Sequence, residues 1–199
     1  MSFKLKIKTE RLIITEFTMD MAEAVHMNSL DEDNRRFVPD EVFETVEEAA
    51  DTICFLMEVY KNGDGPLVYP VLLKDGTYIG YVQAVPFEDS TWEVGYHIGS
   101  NYTKKGYATE AMKALCQRAF AGKLFEKKET SYKYLCRKKT AKPEVIRAMI
   151  RTDNLASCQL AEKCGFQHMG TLQRHFLVEN RYAVNCEIYE LSREQFSDM

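Results

Sequence analysis

The sequence predicts an α/β (α+β) fold in which a mixed, twisted sheet of about seven strands is flanked by helices. Three patterns lead to this prediction. Residues 92–98 alternate between apolar and smaller or polar side chains, and helical spacing starts at Thr109. A hairpin pattern at 68–86 precedes them, and a second strand and helix follow at 145–165. With 199 residues, 45% of them hydrophobic, the chain suits a single domain that spans 1–199.

Local signals place the elements of the first half. Asp20 can cap a helix that runs to Leu30, because its carboxylate accepts hydrogen bonds from the amides at a helix start. Thr45 and Glu48 have the spacing of a capping box, which predicts that a second helix starts there. Residues 68–73 and 78–86 are β-patterned and are joined by the turn Lys-Asp-Gly at 74–76, so we expect a hairpin that leads into strand 92–98.

The segment between strand 92–98 and the next helix has the composition of an anion site. Gly106 and Ala108 let the backbone amides turn toward one point, and Lys104 and Lys105 add two ammonium groups. Free amides at a helix start favour a phosphate group. The alternative interpretation is a strand-turn-helix unit that carries surface lysines.

A second polar cluster follows the predicted strand 145–151. Asn154 and Ser157 stand at the start of a helix that ends in Lys163-Cys164-Gly165. Helix geometry alone explains these residues, because Asn and Ser cap helix starts and Gly terminates helices. Their combination with segment 103–108, in this order along the chain, is what points to a functional site.

The two segments resemble motifs of the GNAT N-acetyltransferase superfamily. Residues 103–108, T-K-K-G-Y-A, resemble its acyl-CoA signature R/Q-x-x-G-x-G/A, with Thr103 at the first marked position and Lys104 where many members have a second glycine. Residues 151–166, R-T-D-N-L-A-S-C-Q-L-A-E-K-C-G-F, resemble the N-x-A-S…EK-x-GF segment of the branch that includes ribosomal-protein N-terminal acetyltransferases. Residues 8–12, K-T-E-R-L, and 45–49, T-V-E-E-A, resemble the same branch, so the resemblance spans nearly the whole chain.

The resemblance implies that acetyl-CoA is the co-substrate. In this superfamily the strand from 93 and the strand that ends near 151 are parallel neighbours that splay apart, commonly with a bulge. The gap admits the pantetheine arm of the co-substrate. The implied cofactor-binding residues are Tyr96, His97, Ile98, Lys104, Lys105, Gly106, Tyr107, Ala108, Thr109, Asn154 and Lys163.

Acetyl transfer needs a base, since a primary amine is protonated near neutral pH, and a donor for the departing thiolate. The resemblance places Ser157 at the sulfur. Two bases stay open: Glu93, on the strand that leads into the gap, and His175, whose imidazole titrates near neutral pH. In the resembled branch a Glu after a G-x-L segment acts as base, and Phe176 stands nearest that position here. Asn185 replaces the Asp of the pattern N-G-x-Y-x-D.

Charge is distributed unevenly, although the net charge is only −4. Residues 31–51 hold nine carboxylates, and in the resembled family this segment borders the acceptor groove, where carboxylates would attract a cationic amine. Residues 127–142 hold seven basic side chains within an expected insertion near 123–143. Either run is also explained as a solvated surface. A short basic loop on an acidic protein gives little support for nucleic-acid binding.

Composition sets further limits. The six cysteines form no C-x-x-C pair and have no histidine at metal-ligand spacing, so we expect reduced thiols and no metal site. No apolar run is long enough to cross a bilayer, and the start M-S-F-K-L-K lacks the hydrophobic core of a secretory signal. We therefore expect a cytoplasmic protein that has no membrane partner. Formation of a homodimer stays open.

Three functions compete at this point. The leading one is an N-acetyltransferase that moves an acetyl group from acetyl-CoA to a primary amine, in a small molecule or at a peptide or protein N-terminus, by direct attack in a ternary complex. The second is an acyl-CoA-binding sensor or pseudoenzyme, suggested by Phe176 and Asn185. The third is an RNA-associated module that uses the basic insertion. Binding of acetyl-CoA separates the first two from the third, and release of CoA with amines separates the first from the second.

Overall fold

The structure, a computed structural model, describes residues 5–62, 65–87, 90–124, 131–132, 137–138, 142–175 and 183–197. The strands are β1 (Lys6–Lys8), β2 (Leu12–Thr15), β3 (Leu67–Leu73), β4 (Tyr78–Pro86), β5 (Thr91–Ile98), β6 (Ser131–Tyr132), β7 (Arg137–Lys138), β8 (Val145–Arg151), β9 (Gln167–His175) and β10 (Ala183–Ser192). The helices are α1 (Ala22–Ser29), α2 (Glu32–Phe37), α3 (Val46–Asn62), α4 (Tyr107–Phe120), α5 (Leu155–Lys163) and α6 (Arg193–Ser197). Short 3-10 turns lie at Met19–Met21, Pro39–Glu41 and Ser100–Tyr102.

One eight-stranded sheet, in the order β1-β2-β3-β4-β5-β8-β10-β9, organises the described residues. β5 and β8 are parallel, and the other neighbouring strands are antiparallel. The predicted mixed sheet is therefore confirmed, with the short strand β1 added at one edge. β6 and β7 form a separate antiparallel pair within the expected insertion, most of which lies outside the described residues.

Helices pack on the sheet through apolar stripes. α3 buries Ala49, Ile53 and Leu56, at helical spacing, in a cluster that it shares with α1. α4 buries Ala111 and Leu115 in a separate, larger cluster that also includes α5. Within the described segments, no helix combines the length and the apolar character that crossing a membrane requires.

The predicted helix caps are partly correct. The hydroxyl of Thr45 accepts a hydrogen bond from the Glu48 amide at 3.2 Å, as a capping box requires. The Glu48 carboxylate, however, accepts from the amide of Glu44 at 2.7 Å, one residue earlier than in the standard pattern. The prediction for Asp20 is wrong: this residue lies inside a 3-10 turn, and α1 begins after Met21 without a side-chain cap.

β5 and β8 separate after a short common stretch. Only residues 91–93 pair with residues 145–147, and beyond them β5 continues beside β4 while β8 continues beside β10. The predicted splay is thus confirmed. The bulge expected beside it is not in β5, whose register with β4 is unbroken from Trp92 to Ile98. Register irregularities lie instead between Val71 and Leu72 and between Ile188 and Tyr189.

Candidate active site

A cavity of about 710 Å³ opens where β5 and β8 separate. Side chains alternate along β5, so the strand contributes to two opposite sides of this cavity. Tyr96 and Ile98 pack toward α4 and α5, and we call this the helix side. Glu93, Gly95 and His97 lie on the other face, together with residues 33–41, and we call this the acidic side.

Two hydroxyl groups meet on the helix side. The Tyr96 hydroxyl and the Ser157 hydroxyl are 2.9 Å apart, and either can donate the hydrogen bond. Burial raises the pKa of Tyr96, against the opposing effect of the Ser157 hydrogen bond, so the phenol stays protonated near neutral pH. Because two hydroxyls share one hydrogen bond, the pair keeps a second proton that it can donate to a ligand in the cavity.

The start of α5 holds Ser157 in place. The side-chain oxygen of Asn154 accepts a hydrogen bond from the Ser157 amide at 3.1 Å, so Asn154 caps the helix as the simpler interpretation predicted. Asn154 also lines the cavity. Lys163 is exposed at the other end of α5, and a rise of 1.5 Å per residue puts it about 12 Å from Leu155, the first residue of this helix. Its contact with a cofactor stays a prediction.

The predicted anion segment forms the start of α4. Gly106 is the N-cap residue with φ = +81° and without a side-chain cap, and Lys104 has φ = +60°. The first amides of an α-helix have no acceptor within the helix, so those of Tyr107, Ala108 and Thr109 are suited to phosphate oxygens. The ammonium group of Lys105 donates a hydrogen bond to the Asn101 carbonyl at 2.9 Å, so it is directed away from these amides.

Arg11 lies beside this segment in a role that the sequence did not reveal. Its guanidinium donates to the Lys105 carbonyl at 2.8 Å and to Glu110 at 2.6 Å, and it lies 4.7 Å from the ring centre of Tyr107. Burial opposes the ionisation of Glu110, but the hydrogen bonds from Thr9 and Arg11 outweigh it and lower the pKa of this carboxyl. The β1–β2 turn is thereby tied to the start of α4. The T-E-R-L motif was the available signal, but it indicated only a strand.

Of the two candidate bases, Glu93 lines the cavity, whereas the side chain of His175 lies outside the described residues. Glu93 itself is half-buried. His175 ends β9 opposite Ala183, two strands from β8 in the sheet, and its side chain lies outside the described residues, as does Phe176. Asn185 is exposed on β10.

The acidic run from 31 to 51 divides into two groups. Asp33, Asp40 and Glu41 line the cavity. Glu41 accepts a hydrogen bond from the Tyr81 hydroxyl, and burial raises the pKa of its carboxyl. Glu44 does not line the cavity and instead forms an exposed ion pair with Arg35 at 2.6 Å. The expected acidic border therefore exists, but only part of the run contributes to it.

An ion cluster joins α2 to the turn after β8. Asp153 accepts from Arg36 and from Arg151, each at 3.0 Å. The hydrogen bond from Arg151 is the main cause that lowers the pKa of Asp153 to about 2. These residues line the cavity, and because two guanidinium groups share one carboxylate, the cluster keeps a net positive charge. In the described part of the chain, no group of His, Cys, Asp or Glu residues could hold a metal ion.

Two curated proteins that resemble the chain in sequence are both named N-acetyltransferases. Over 117 residues the chain is 35% identical to the uncharacterized N-acetyltransferase YnaD of Bacillus subtilis, a match that covers 57% of this chain and 65% of YnaD, just under two thirds. It is 25% identical over 190 residues to the uncharacterized N-acetyltransferase YoaA of the same organism, covering 93% of this chain and 95% of YoaA.

Solved structures share the fold. A GNAT-family acetyltransferase from Bacillus anthracis superposes with a TM-score of 0.74 at 24% identity, covering 96% of this chain and 99% of that one. RimL, a ribosomal L7/L12 alpha-N-protein acetyltransferase in complex with coenzyme A, superposes with a TM-score of 0.71 at 16% identity. This match covers 94% of this chain and 98% of the RimL chain. The predicted resemblance and fold class are confirmed. A family model described as an acetyltransferase (GNAT) domain matches residues 11–167, and the chain therefore belongs to the GNAT acetyltransferase family.

Proposed function

We propose that the protein transfers the acetyl group of acetyl-CoA to a primary amine by direct attack in a ternary complex. The observation that carries the proposal is the cavity between β5 and β8, which has hydroxyl donors on one side and carboxylates on the other. Its volume of about 710 Å³ lies within the usual range of ligand sites, roughly 300 to 1,000 Å³.

The helix side fits acetyl-CoA. The pyrophosphate binds at the amides of residues 107–109, where the helix dipole and the absence of a side-chain cap favour an anion. Beyond Glu93, the edge of β5 that faces the cavity is not paired with β8, so its backbone can bond to the amides of the pantetheine arm. The sulfur then lies beside the pair formed by Tyr96 and Ser157.

The transfer uses both sides of the cavity. The neutral amine attacks the thioester carbon, a C–N bond forms, and the C–S bond breaks to release a thiolate. Tyr96 and Ser157 donate a hydrogen bond to the sulfur, and the proton that this pair passes to the thiolate is replaced from the solvent. Glu93 accepts the proton of the amine directly or through one water, with His175 as the alternative base.

The charge of the acidic side favours a cationic acceptor. Asp33, Asp40 and Glu41 raise the local concentration of protonated amines, and such attraction weakens with added salt. RimL acts on a ribosomal protein, which supports a peptide N-terminus as one acceptor class. Small amines fit the same charges, so both classes belong to the proposal.

A binding protein without catalysis is the second candidate. It was suggested by the residues at 176 and 185, and the exposure of Asn185 on β10 weakens it, because Asn185 does not line the cavity. Calorimetric titration with acetyl-CoA, followed by a CoA-release assay with an amine library, decides between the two. Binding together with amine-dependent release is expected. Binding without release from any amine would favour the sensor, and no binding at millimolar acetyl-CoA would overturn both.

A further inference from the structure

A second cavity, of about 220 Å³, lies beside the acidic side of the first. It is formed by α1, α3, β3 and β4, and its apolar walls come from Phe17, Val25, Phe43, Ile53, Leu56 and Val68. The second and the first cavity share the five lining residues Asp40, Glu41, Tyr81, Gln83 and His97. The second cavity therefore adjoins the proposed acceptor site at these five residues, and we call it the extension.

The size and the walls of this extension suit a compact apolar group. An apolar cavity of about 150 Å³ is large enough to bind benzene. At about 220 Å³ this one has room for a phenyl ring or a branched aliphatic chain. Asn28, Ser29, Asn34 and Thr52 add polar groups to the lining, but none of them is charged, so burying a long charged chain there would still be unfavourable.

The position of the extension relates it to the acceptor and not to acetyl-CoA. His97 follows Tyr96 directly, and successive side chains of a strand point to opposite faces, so the extension opens on the face away from Ser157. The two residues are about 3.3 Å apart along the strand. Tyr96 and His97 are thus neighbours on β5, and the extension lies on the face that the acceptor would occupy.

The boundary that the two cavities share is acidic, whereas the rest of the second cavity's lining carries no charge and is mainly apolar. Glu41 and Tyr81 are hydrogen-bonded to each other there, and Asp40 adds another carboxyl group. His97 is 8% exposed, and its Nε2 atom has no hydrogen-bond partner among the described residues. The order along the cavity is therefore acidic groups near the amine and mainly apolar groups beyond them, which matches an amine that carries an apolar group.

We infer that the second cavity is the acceptor specificity site and that the preferred acceptors are primary amines with a phenyl-sized or branched aliphatic group. This inference rests on the proposed function. Suitable probes are 2-phenylethylamine and 3-methylbutylamine, with ethanolamine and ethylamine as amines that leave the extension empty. We expect kcat/KM to be at least tenfold higher for the first two, because each buried methylene group contributes to binding.

Two substitutions fill the extension from opposite walls. Val68→Phe on β3 and Thr52→Leu on α3 add volume at residues that line only the second cavity. Val46→Phe is the matched control, since Val46 is 37% exposed at the start of α3 and lines neither cavity. Melting temperature and acetyl-CoA affinity, measured for every variant, show whether the fold and the helix side remain intact.

The expected result is a loss of preference. Val68→Phe and Thr52→Leu should lower kcat/KM for 2-phenylethylamine at least tenfold and leave ethylamine within about threefold, whereas Val46→Phe should match the wild type. Equal rates for ethylamine and 2-phenylethylamine in the wild type would overturn the inference. So would an equal fall for both amines in a folded variant that still binds acetyl-CoA.

A binding measurement separates this inference from the proposed function. Titration of 2-phenylethylamine into the protein saturated with CoA should give binding in the wild type and in Val46→Phe but not in Val68→Phe. If this pattern holds while no amine is acetylated, the specificity site stands and the proposed function falls. If 2-phenylethylamine does not bind, or binds to Val68→Phe as it does to the wild type, the inference falls whether or not other amines are acetylated.

Discussion

The two sides of the cavity present different chemical groups. On the helix side, the candidate groups are backbone amides at the start of α4 and a hydroxyl pair, Tyr96 and Ser157, held between β5 and α5. On the acidic side, they are carboxylates such as Glu41 and Glu93. Backbone amides persist under most substitutions, whereas a carboxylate is removed by one. We therefore expect the fold to set the co-substrate and individual side chains to set the acceptor.

The largest expected effect is on the backbone of the helix side. Gly106→Val places a branched side chain at φ = +81°, with its Cβ 3.3 Å from the guanidinium of Arg11, so the amides must shift. We expect acetyl-CoA affinity to fall about a hundredfold, or about 2.7 kcal/mol. Titration calorimetry measures this loss directly.

The control for this change is Gly76→Val in the β3–β4 turn. Gly76 has φ = +93° and nothing within 4 Å of an added Cβ, so it imposes similar strain far from the cavity. Its melting temperature should fall while acetyl-CoA affinity stays normal. Equal losses of affinity in both variants would mean that general destabilisation, and not the amides of α4, explains the effect.

The next effect concerns the hydroxyl pair. Ser157→Ala and Tyr96→Phe should each lower kcat about tenfold to a hundredfold and leave acetyl-CoA affinity within about twofold, because the donated hydrogen bond matters most as the thiolate forms. The double variant should be little worse than either single variant, since the two hydroxyls act through one hydrogen bond.

Steady-state kinetics with direct titration tests this separation. Ser197→Ala in α6, whose hydroxyl bonds only within its own helix among the described residues, is the control and should match the wild type. A fall in affinity parallel to the fall in kcat would assign the pair to binding instead. Additive losses in the double variant would show that the hydroxyls act independently.

On the acidic side, Glu93→Gln should lower kcat/KM about tenfold and flatten its rise with pH, since a water relay can replace part of the base. His175→Ala should leave the profile unchanged. The measurement is the pH dependence of kcat/KM for both variants. A normal profile for Glu93→Gln together with a loss in His175→Ala would transfer the role to His175, and two normal profiles would favour attack by an amine that is already neutral.

The smallest expected effect separates the two groups of the acidic run. Glu41→Gln should raise the acceptor KM about threefold to fivefold at low salt, because a carboxylate at the cavity wall is lost while the bond from Tyr81 can persist. Glu44→Gln should be silent, because Glu44 lies outside the cavity and pairs with Arg35. Initial rates at low and high salt check both, and equal effects of the two changes would contradict the division.

On the helix side, the sequence located local features but not the contacts between residues that are distant along the chain. The amides near Gly106 could be located because a glycine and a helix start are local features. The contact between Tyr96 and Ser157 joins residues 61 positions apart, and it depends on how α5 packs beside β5. Arg11 is 99 positions from Glu110, so its tie to α4 was equally hidden.

The acidic run could be recognised from composition, but not resolved into its parts. A 3-10 turn at Pro39–Glu41 directs Glu41 inward, whereas Glu44 lies in the connection before α3. Periodicity cannot separate them, because residues 38–45 do not form one regular helix or strand. The side chain of His175 lies outside the described residues, so its role stays a prediction.

The central claim is that acetyl passes directly between the two sides of one cavity. Initial rates measured while both acetyl-CoA and an amine such as 2-phenylethylamine are varied test this most directly. We predict that the double-reciprocal lines intersect, as a ternary complex requires, and that no acetylated protein accumulates when the amine is left out. Parallel lines together with an acetylated protein would contradict the account, as would a rate that does not depend on any amine.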